Sequence, residues 1–219
     1  MLSALIASIV FSAGPADLSK LVERVQATYD SKADISASFT QTYMDSLRGS
    51  QREESGRLWA KSDGRVRWTY VKPVRKDFVY NGEVAYFYEP ESAQVTVFED
   101  FQQSQVSQAL RFLWGQGDLR ESFEIQACTV ECRRAKAGET VLVLWTKTPI
   151  ATVDKILLVV EEASATVARS VVLDPLGNET TYTLADFDKT KVLDQRLFDF
   201  QIPEGISVLK ASGKKEEKK

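Results

Sequence analysis

Short stretches in which apolar and polar side chains alternate recur along most of this chain, and they constrain its fold more than any other feature. Side chains point to opposite faces of a strand in turn, so each stretch predicts a strand with one apolar face. Asn81-Gly82 separates two of these stretches and is the strongest short signal for a hairpin. We predict about ten or eleven short strands between residues 35 and 202, the last of them at 198–202.

Consecutive strands joined by short turns favour an antiparallel sheet, and a sheet of this many strands has to curl. The concave face of a curled sheet must be filled by side chains, by a helix or by a ligand. Aromatic residues are plentiful, with 4 Trp, 7 Tyr and 11 Phe. Core packing explains such an apolar stripe, and a binding cavity is the alternative that composition alone does not separate from it.

Two segments show helical spacing instead. The first is amphipathic, begins with Asp17 or Ser19 as its cap, and places these residues on one face: Leu18, Leu21, Val22, Val25 and Tyr29. The second runs over 104–114 and ends at Gly115 and Gly117. Its apolar stripe could cover the concave face of the sheet. No change in composition divides the strands, so one domain is expected.

Both ends of the chain differ from this domain. Residues 1–16 form an uncharged apolar run that ends in small residues, which is typical of a secretory signal peptide. The mature domain is then expected at 17–209, and the alternative is a buried N-terminal helix. The last ten residues, 210–219, are polar and charged and are expected to form a disordered tail.

Histidine is absent from the sequence, which excludes Ser-His-Asp and Cys-His catalysis and His-ligated zinc. The chain has 28 basic and 31 acidic residues, a net charge of −3, so no nucleic-acid-binding surface is expected. The remaining route to catalysis is paired carboxylates, at Glu53–Glu54, Glu99–Asp100 and Glu161–Glu162. Neighbouring residues on a strand point to opposite faces, so these pairs do not converge. We therefore expect no enzyme, no metal site and no cofactor.

Cys128 and Cys132 are the two cysteines of the chain. In an extended strand, residues four apart lie about 13 Å from each other, too far for a disulfide. A tight turn would bring them together, and an oxidising compartment would retain the bond. We expect a disulfide that staples a hairpin, and the alternative is two free thiols.

Several motifs, in this order and spacing, resemble those of the LolA family of periplasmic outer-membrane lipoprotein carriers. They are ISASFTQ at 35–41, GRLWAK at 56–61, RWTY at 67–70, YNGEVAYFYEP at 80–90, LWGQGDL at 113–119 and FDFQIPEG at 198–205. The resemblance runs over residues 18–209. It implies a mainly β fold with helices (α+β), an incomplete antiparallel β-barrel with a helical lid over a hydrophobic cavity.

The resemblance also implies a function without a covalent step. A member of this family binds the acyl chains of lipoproteins and ferries them from the inner to the outer membrane through the periplasm. Its partners are an inner-membrane ABC transporter of the LolCDE type and, where one exists, an outer-membrane acceptor of the LolB type. A monomer is expected. The alternatives are a binder or sensor of another lipid or glycolipid on the same fold, and an unrelated hydrolase that uses carboxylates.

Alternation along the strands selects the residues expected to line the cavity. The sheet side is expected to contribute Leu58, Val66, Trp68, Tyr70, Tyr86, Tyr88, Val95 and Val97. The lid is expected to contribute Val106, Leu110, Leu113 and Trp114. One departure concerns the position where the family usually has an Arg-Pro pair that ties the sheet to the lid, because Ser62-Asp63 stand there.

Overall fold

The computed structural model describes residues 15–29, 33–101 and 118–211 of the chain. Its helices are α1 (Pro15–Tyr29) and a single turn, α2 (Leu119–Ser122). Its strands are β1 (Ile35–Asp45), β2 (Ser50–Ala60), β3 (Val66–Lys72), β4 (Lys76–Tyr80), β5 (Ala85–Glu89), β6 (Gln94–Phe98), β7 (Phe123–Ala127), β8 (Glu139–Ile150), β9 (Val153–Glu161), β10 (Thr166–Leu173), β11 (Glu179–Asp188) and β12 (Ser207–Ala211).

All twelve strands belong to one sheet, in the order β12-β6-β5-β4-β3-β2-β1-β11-β10-β9-β8-β7. Neighbouring strands are antiparallel except β12, which runs parallel to β6. The sheet is open, because its edge strands β12 and β7 stand at opposite ends of this order. The expected fold class, mainly β with helices around an unclosed sheet, is confirmed.

The last strand does not lie where the sequence predicted it. Residues 198–202 were expected to form a strand, but a 3-10 turn at Gln195–Phe198 is followed by irregular chain. Phe198 is fully buried, and Phe200 packs against two tyrosine rings of β5. The alternating pattern of this segment therefore serves packing across the sheet rather than pairing within it.

The true last strand, β12, begins nine residues after Phe198 and pairs with β6. Lys210 and Ala211, which the sequence placed in the tail, are paired with Val97 and Phe98. The expected start of the tail is therefore wrong by two residues. Residues 212–219 lie outside the described residues, as does the expected lid helix at 104–114.

Helix α1 lies across one face of the sheet, which we call the inner face. It begins at Pro15, two residues before the expected cap Asp17, and proline is well tolerated in the first turn of a helix. Leu21, Val22 and Val25 are buried in the main core cluster together with Phe39 and Leu58 of the sheet. Residues 1–14, which hold most of the expected signal peptide, lie outside the described residues.

The opposite face, the outer face, carries a second apolar cluster formed by β8, β9 and β10. Cys128 and Ala135 of the loop before β8 pack against it. A 3-10 turn at Val130–Arg134 brings the two cysteines to a Cα separation of 5.2 Å, where they form a disulfide. Glu131 in this turn accepts a hydrogen bond from Lys155 Nζ at 2.7 Å. The loop thus shields the outer face and is held to β9 by an ion pair.

Gly56 marks the closest approach between two strands. A Cβ atom at this position would lie 1.9 Å from the carbonyl oxygen of Thr69 in β3. The pairing of β2 with β3 also shifts register between Ser55 and Gly56. Only glycine fits here without moving the backbone of β3.

We expect Gly56→Ala to destabilise the protein by about 2–3 kcal/mol, since the added methyl group forces the two strands apart. Gly205→Ala is the control, because Gly205 has a φ of 77° but nothing within 4 Å of an added Cβ. That change should cost about 1 kcal/mol through backbone strain alone. Urea unfolding of both variants measures the difference, and equal losses would contradict the steric explanation.

The disulfide loop gives a pH-dependent contribution to stability. The hydrogen bond from Lys155 lowers the pKa of Glu131 to about 2, from an ordinary value of 4.5. A lowered pKa stabilises the folded state above pH 4.5, and this contribution is lost as the pH falls towards 2. Glu131→Gln should therefore flatten the dependence of unfolding free energy on pH in this window. Glu83→Gln, an exposed change outside the loop, is the control, and an unchanged slope in Glu131→Gln would refute the assignment.

Candidate functional site

A cavity of about 220 Å³ lies on the inner face of the sheet, beside Tyr29 at the C-terminal end of α1. It is lined by Tyr29, Ile35, Leu58, Trp68, Tyr70, Phe78, Phe87, Phe101, Val167, Ser170, Val172, Tyr182, Leu184 and Phe187. None of these lining residues is charged. Such a space suits an apolar ligand, because no charged group has to be desolvated when the ligand enters.

Strand register builds one wall of the cavity. Leu58 of β2 is paired with Trp68 of β3, Trp68 with Phe78 of β4, and Phe78 with Phe87 of β5. Directly opposite residues on neighbouring strands share a face of the sheet, so these four side chains form one continuous apolar row.

Aromatic contacts fix the middle of this wall. The ring of Phe39 in β1 lies 4.8 Å from that of Trp68 and 4.9 Å from that of Tyr70. Trp68 also meets Tyr182 of β11 edge to face, at 5.5 Å. Edge-to-face and tilted arrangements are the favoured geometries for aromatic pairs. The wall is therefore a packed aromatic surface that spans β1, β3 and β11.

Two of the polar groups at the cavity have hydrogen-bond partners. The hydroxyl of Tyr70 donates to Gln41 Oε1 at 2.8 Å, and the amide of Val167 donates to the hydroxyl of Tyr29 at 3.0 Å. Burial raises the pKa of Tyr29 and that of Tyr182 to about 12, and it raises the pKa of Tyr70 as well. The phenols thus stay neutral, and none of the described lining residues carries a group that titrates near neutral pH.

Three of the expected sheet residues line this cavity, namely Leu58, Trp68 and Tyr70. Val66 is on the same face but is fully buried in the core cluster rather than at the cavity surface. The four expected lid residues, Val106, Leu110, Leu113 and Trp114, lie outside the described residues.

Four expected residues, Tyr86, Tyr88, Val95 and Val97, are on the outer face instead. Phe87 shares the face of Phe78, so its neighbours on β5 point the other way. Tyr86 and Tyr88 are paired with Val97 and Val95, which places all four together. The expectation was wrong because β5 is apolar on both faces, and alternation alone does not tell the faces apart.

The outer face of these strands is apolar because the C-terminal segment covers it. The ring of Phe200 lies 5.2 Å from that of Tyr86 and 5.5 Å from that of Tyr88. Arg67 on the same face pairs with buried Asp77 at 2.9 Å and donates to the carbonyl of Leu197 at 3.0 Å. The tyrosines therefore pack against a segment of the same chain that a hydrogen bond from Arg67 holds to the sheet.

The chain around Ser62, at the position of the family's Arg-Pro pair, also makes hydrogen bonds that involve this segment. Asp34 accepts hydrogen bonds from the amides of Ser62 and Leu193 at 2.9 and 2.7 Å, and from Lys61 Nζ at 3.2 Å. Lys61 donates in addition to the carbonyl of Leu193. Among the described residues, Lys61 therefore ties β2 to the chain before β12.

Sequence reasoning missed Phe78, Phe87 and Tyr182 as lining residues. The first two could have been found by carrying the register from Trp68 across the hairpin at Asn81-Gly82, since that register pairs Phe78 with Phe87. Tyr182 had no such signal, because β11 meets β1 across a sequence separation of about 140 residues.

Other kinds of site find no support in the described residues. They contain no cluster of three metal-ligating side chains. No helix in residues 15–29, 33–101 or 118–211 combines the length and apolarity needed to cross a membrane. None of the three candidate carboxylate pairs lines the cavity, and Glu54 instead pairs with Lys76 at 2.7 Å.

A family model and curated relatives indicate the same family, and a solved structure shares the fold. The model of the family described as outer membrane lipoprotein carrier protein LolA matches residues 30–201. An outer-membrane lipoprotein carrier protein of Azotobacter vinelandii is 25% identical, over 94% of this chain and 96% of its own. One from Chromohalobacter salexigens is 28% identical over 87% of each chain. A conserved protein of Thermus thermophilus shares the fold, with a TM-score of 0.54 and 13% identity over 88% of this chain and 98% of its own.

The raised pKa values of the cavity tyrosines make the stability of the folded protein depend on pH in alkaline solution. A raised phenol pKa stabilises the folded state below pH 10, the ordinary value, and this contribution is lost as the pH rises towards 12. Tyr182→Phe should make the decline in unfolding free energy above pH 10 less steep. Unfolding curves and phenolate absorbance over this range provide the measurement. A decline as steep as that of the wild type would show that Tyr182 is not buried.

Proposed function

The chain belongs to the LolA family, and from this premise we propose that it carries lipoproteins through the periplasm from the inner to the outer membrane. In this proposal the acyl chains of the cargo lie in the cavity on the inner face of the sheet, beside Tyr29 of α1. The main support is that none of the described residues that line this cavity is charged.

Energetics explain why such a carrier is needed. Each acyl methylene removed from water contributes about 0.8 kcal/mol. Exposing the chains of a multiply acylated protein therefore costs on the order of tens of kcal/mol, which keeps it in its membrane. A carrier with an apolar, uncharged interior offers a comparable environment, so transfer in either direction is close to balanced.

The cargo needs more room than the cavity of about 220 Å³ provides, because pockets for drug-sized ligands already span roughly 300–1,000 Å³. We propose that α1 moves away from the sheet when cargo enters. Movement of α1 would break the buried hydrogen bond that the hydroxyl of Tyr29 accepts from the amide of Val167. Other polar contacts of α1 are exposed: Arg24 donates to the carbonyls of Glu162 and Ala163, and Glu23 pairs with Arg120 at 3.3 Å. Exposed contacts of this kind are weak, so they hold the helix without locking it.

In this proposal the partner proteins set the direction in which the lipoprotein is transferred. LolA-family proteins are carriers rather than enzymes, so no bond is made or broken on the chain, and no cofactor is required. An ABC transporter of the LolCDE type would load the cargo with energy from ATP, and a LolB-type acceptor, where one exists, would receive it. Residues 1–16 would direct export to the periplasm, and the carrier would act as a monomer.

A pair of neighbouring residues on β5 tests the location of the site. Phe87 lines the cavity, whereas Tyr88 is on the outer face under Phe200. A carboxylate in the cavity would have to be buried unpaired, which costs several kcal/mol. Phe87→Glu should therefore weaken binding of a synthetic dipalmitoylated lipopeptide about tenfold or more, which corresponds to about 1.4 kcal/mol.

Tyr88→Glu is the matched control and should bind the lipopeptide as the wild type does. Binding is measured by displacement of an environment-sensitive fluorescent fatty acid, and thermal unfolding checks that both variants are folded. Wild-type binding by folded Phe87→Glu would refute the cavity as the acyl site. Acyl lipids that copurify from cells without any attached protein would favour a carrier of another lipid.

A further inference from the structure

The sheet is split along part of its length between β10 and β11. Their pairing runs from Leu173 opposite Glu179 to Arg169 opposite Thr183, where it stops. Beyond that point, β10 remains paired with β9 and β11 remains paired with β1. A bulge in the pairing of β11 with β1, with Asp186 at a φ of 53°, lies in the separated stretch. The two strands therefore diverge towards the end of the sheet that holds the β9–β10 turn.

A groove of about 800 Å³ occupies this split. Ala163, Thr166 and Ala168 contribute one wall, Ala185 and Asp186 the other, and Arg24 of α1 also lines it. Val167, Leu184 and Phe187 line both this groove and the apolar cavity. The two spaces therefore adjoin, so that a single ligand could occupy both.

Two aromatic rings stand at the junction. The rings of Tyr29 in α1 and Phe187 in β11 lie 6.1 Å apart. The hydroxyl of Tyr29 accepts the amide hydrogen of Val167 in β10. Lys189 Nζ lies 5.5 Å from the ring of Phe187 and 5.9 Å from that of Tyr29. An outward movement of α1 would withdraw one ring of this pair and widen the passage between the two spaces.

The groove differs from the cavity in its chemistry. Arg24 is at its edge and donates to the carbonyls of Glu162 and Ala163 at 2.7 and 2.9 Å. Lys136 adds a second cation, and the carboxylates of Glu139, Glu161, Glu162 and Asp186 are on the same lining. Charged groups of both signs suit a polar chain and not an acyl chain.

We infer that this groove binds the stretch of peptide that adjoins the acyl chains of the cargo, an inference that rests on the proposed carrier function. A lipoprotein is apolar at its acylated end and polar immediately after it, and the cavity and groove present the same change across one junction. Extended peptides are bound through main-chain groups of strands, so the exposed walls of β10 and β11 accept peptides of differing sequence.

Two small, exposed residues on opposite walls allow the groove to be filled without touching the cavity. Ala163→Trp and Ala185→Trp should each weaken binding of a dipalmitoylated peptide about tenfold, a loss of about 1.4 kcal/mol, and leave binding of palmitate unchanged. Leu176→Trp is the control, since Leu176 is an exposed residue of the β10–β11 turn outside both spaces. Thermal unfolding establishes that all three variants are folded.

The outcomes separate this inference from the function on which it rests. If the groove variants bind both probes as the wild type does and Phe87→Glu binds neither, the peptide site in the groove is refuted and the acyl site in the cavity is supported. A Phe87→Glu variant that also binds both would overturn the two proposals together. Equal losses for lipopeptide and palmitate would show that the groove is not a separate peptide site.

Photo-crosslinking tests the same peptide site with a variant that still binds the lipopeptide. Benzoylphenylalanine at position 163 should attach to the peptide part of the bound lipopeptide, as mass spectrometry would show. Attachment to the acyl chains, or no attachment by a variant that binds the lipopeptide, would contradict the inference.

Discussion

The apolar inner face of an open twelve-stranded sheet is the constraint on which this molecule depends. Closed barrels enclose their interior, whereas a sheet whose edge strands β12 and β7 do not pair needs a separate cover. Helix α1 supplies that cover through Leu21, Val22, Val25 and Tyr29, which share one core cluster with the sheet. Beside the end of this helix, next to Tyr29, a space without charged residues in its described lining stays open, and such a space is what a carrier of acyl chains requires.

The two faces of the sheet are covered in different ways, and the difference fits the proposed function. On the outer face, members of part-buried ion pairs also bind the covering segment. Arg67, which pairs with Asp77, donates to the carbonyl of Leu197, and Asp34, which pairs with Lys61, accepts from the amide of Leu193. Removing one partner of such a pair is strongly destabilising, so these covers are permanent. On the inner face, α1 is held mainly by apolar contacts, with exposed hydrogen bonds from Arg24 and one buried hydrogen bond at Tyr29. Apolar contacts are non-directional, so an acyl chain can replace those of the helix.

Much of the fold could be predicted from alternation and turn signals, because each strand and each hairpin has a local cause. The assignment of faces could not be, since β5 is apolar on both sides: Phe87 faces the cavity while Tyr86 and Tyr88 pack under Phe200. The alternating pattern at 198–202 also predicted a strand that is absent. A segment that packs across a sheet shows the same alternation as a strand that pairs within it. The split between β10 and β11 depends on pairing between distant segments, which leaves no local trace in the sequence.

If acyl chains lie against the inner face of the sheet, bromine atoms on those chains will quench the fluorescence of a tryptophan on that face. Bromine atoms quench tryptophan only on contact. A variant that keeps Trp68 and replaces the other three tryptophans with phenylalanine would be mixed with a lipopeptide that carries dibrominated stearoyl chains. We expect strong quenching of Trp68, and little quenching in a variant that keeps only Trp145 on the outer face. Bound lipopeptide that leaves Trp68 unquenched would contradict this expectation.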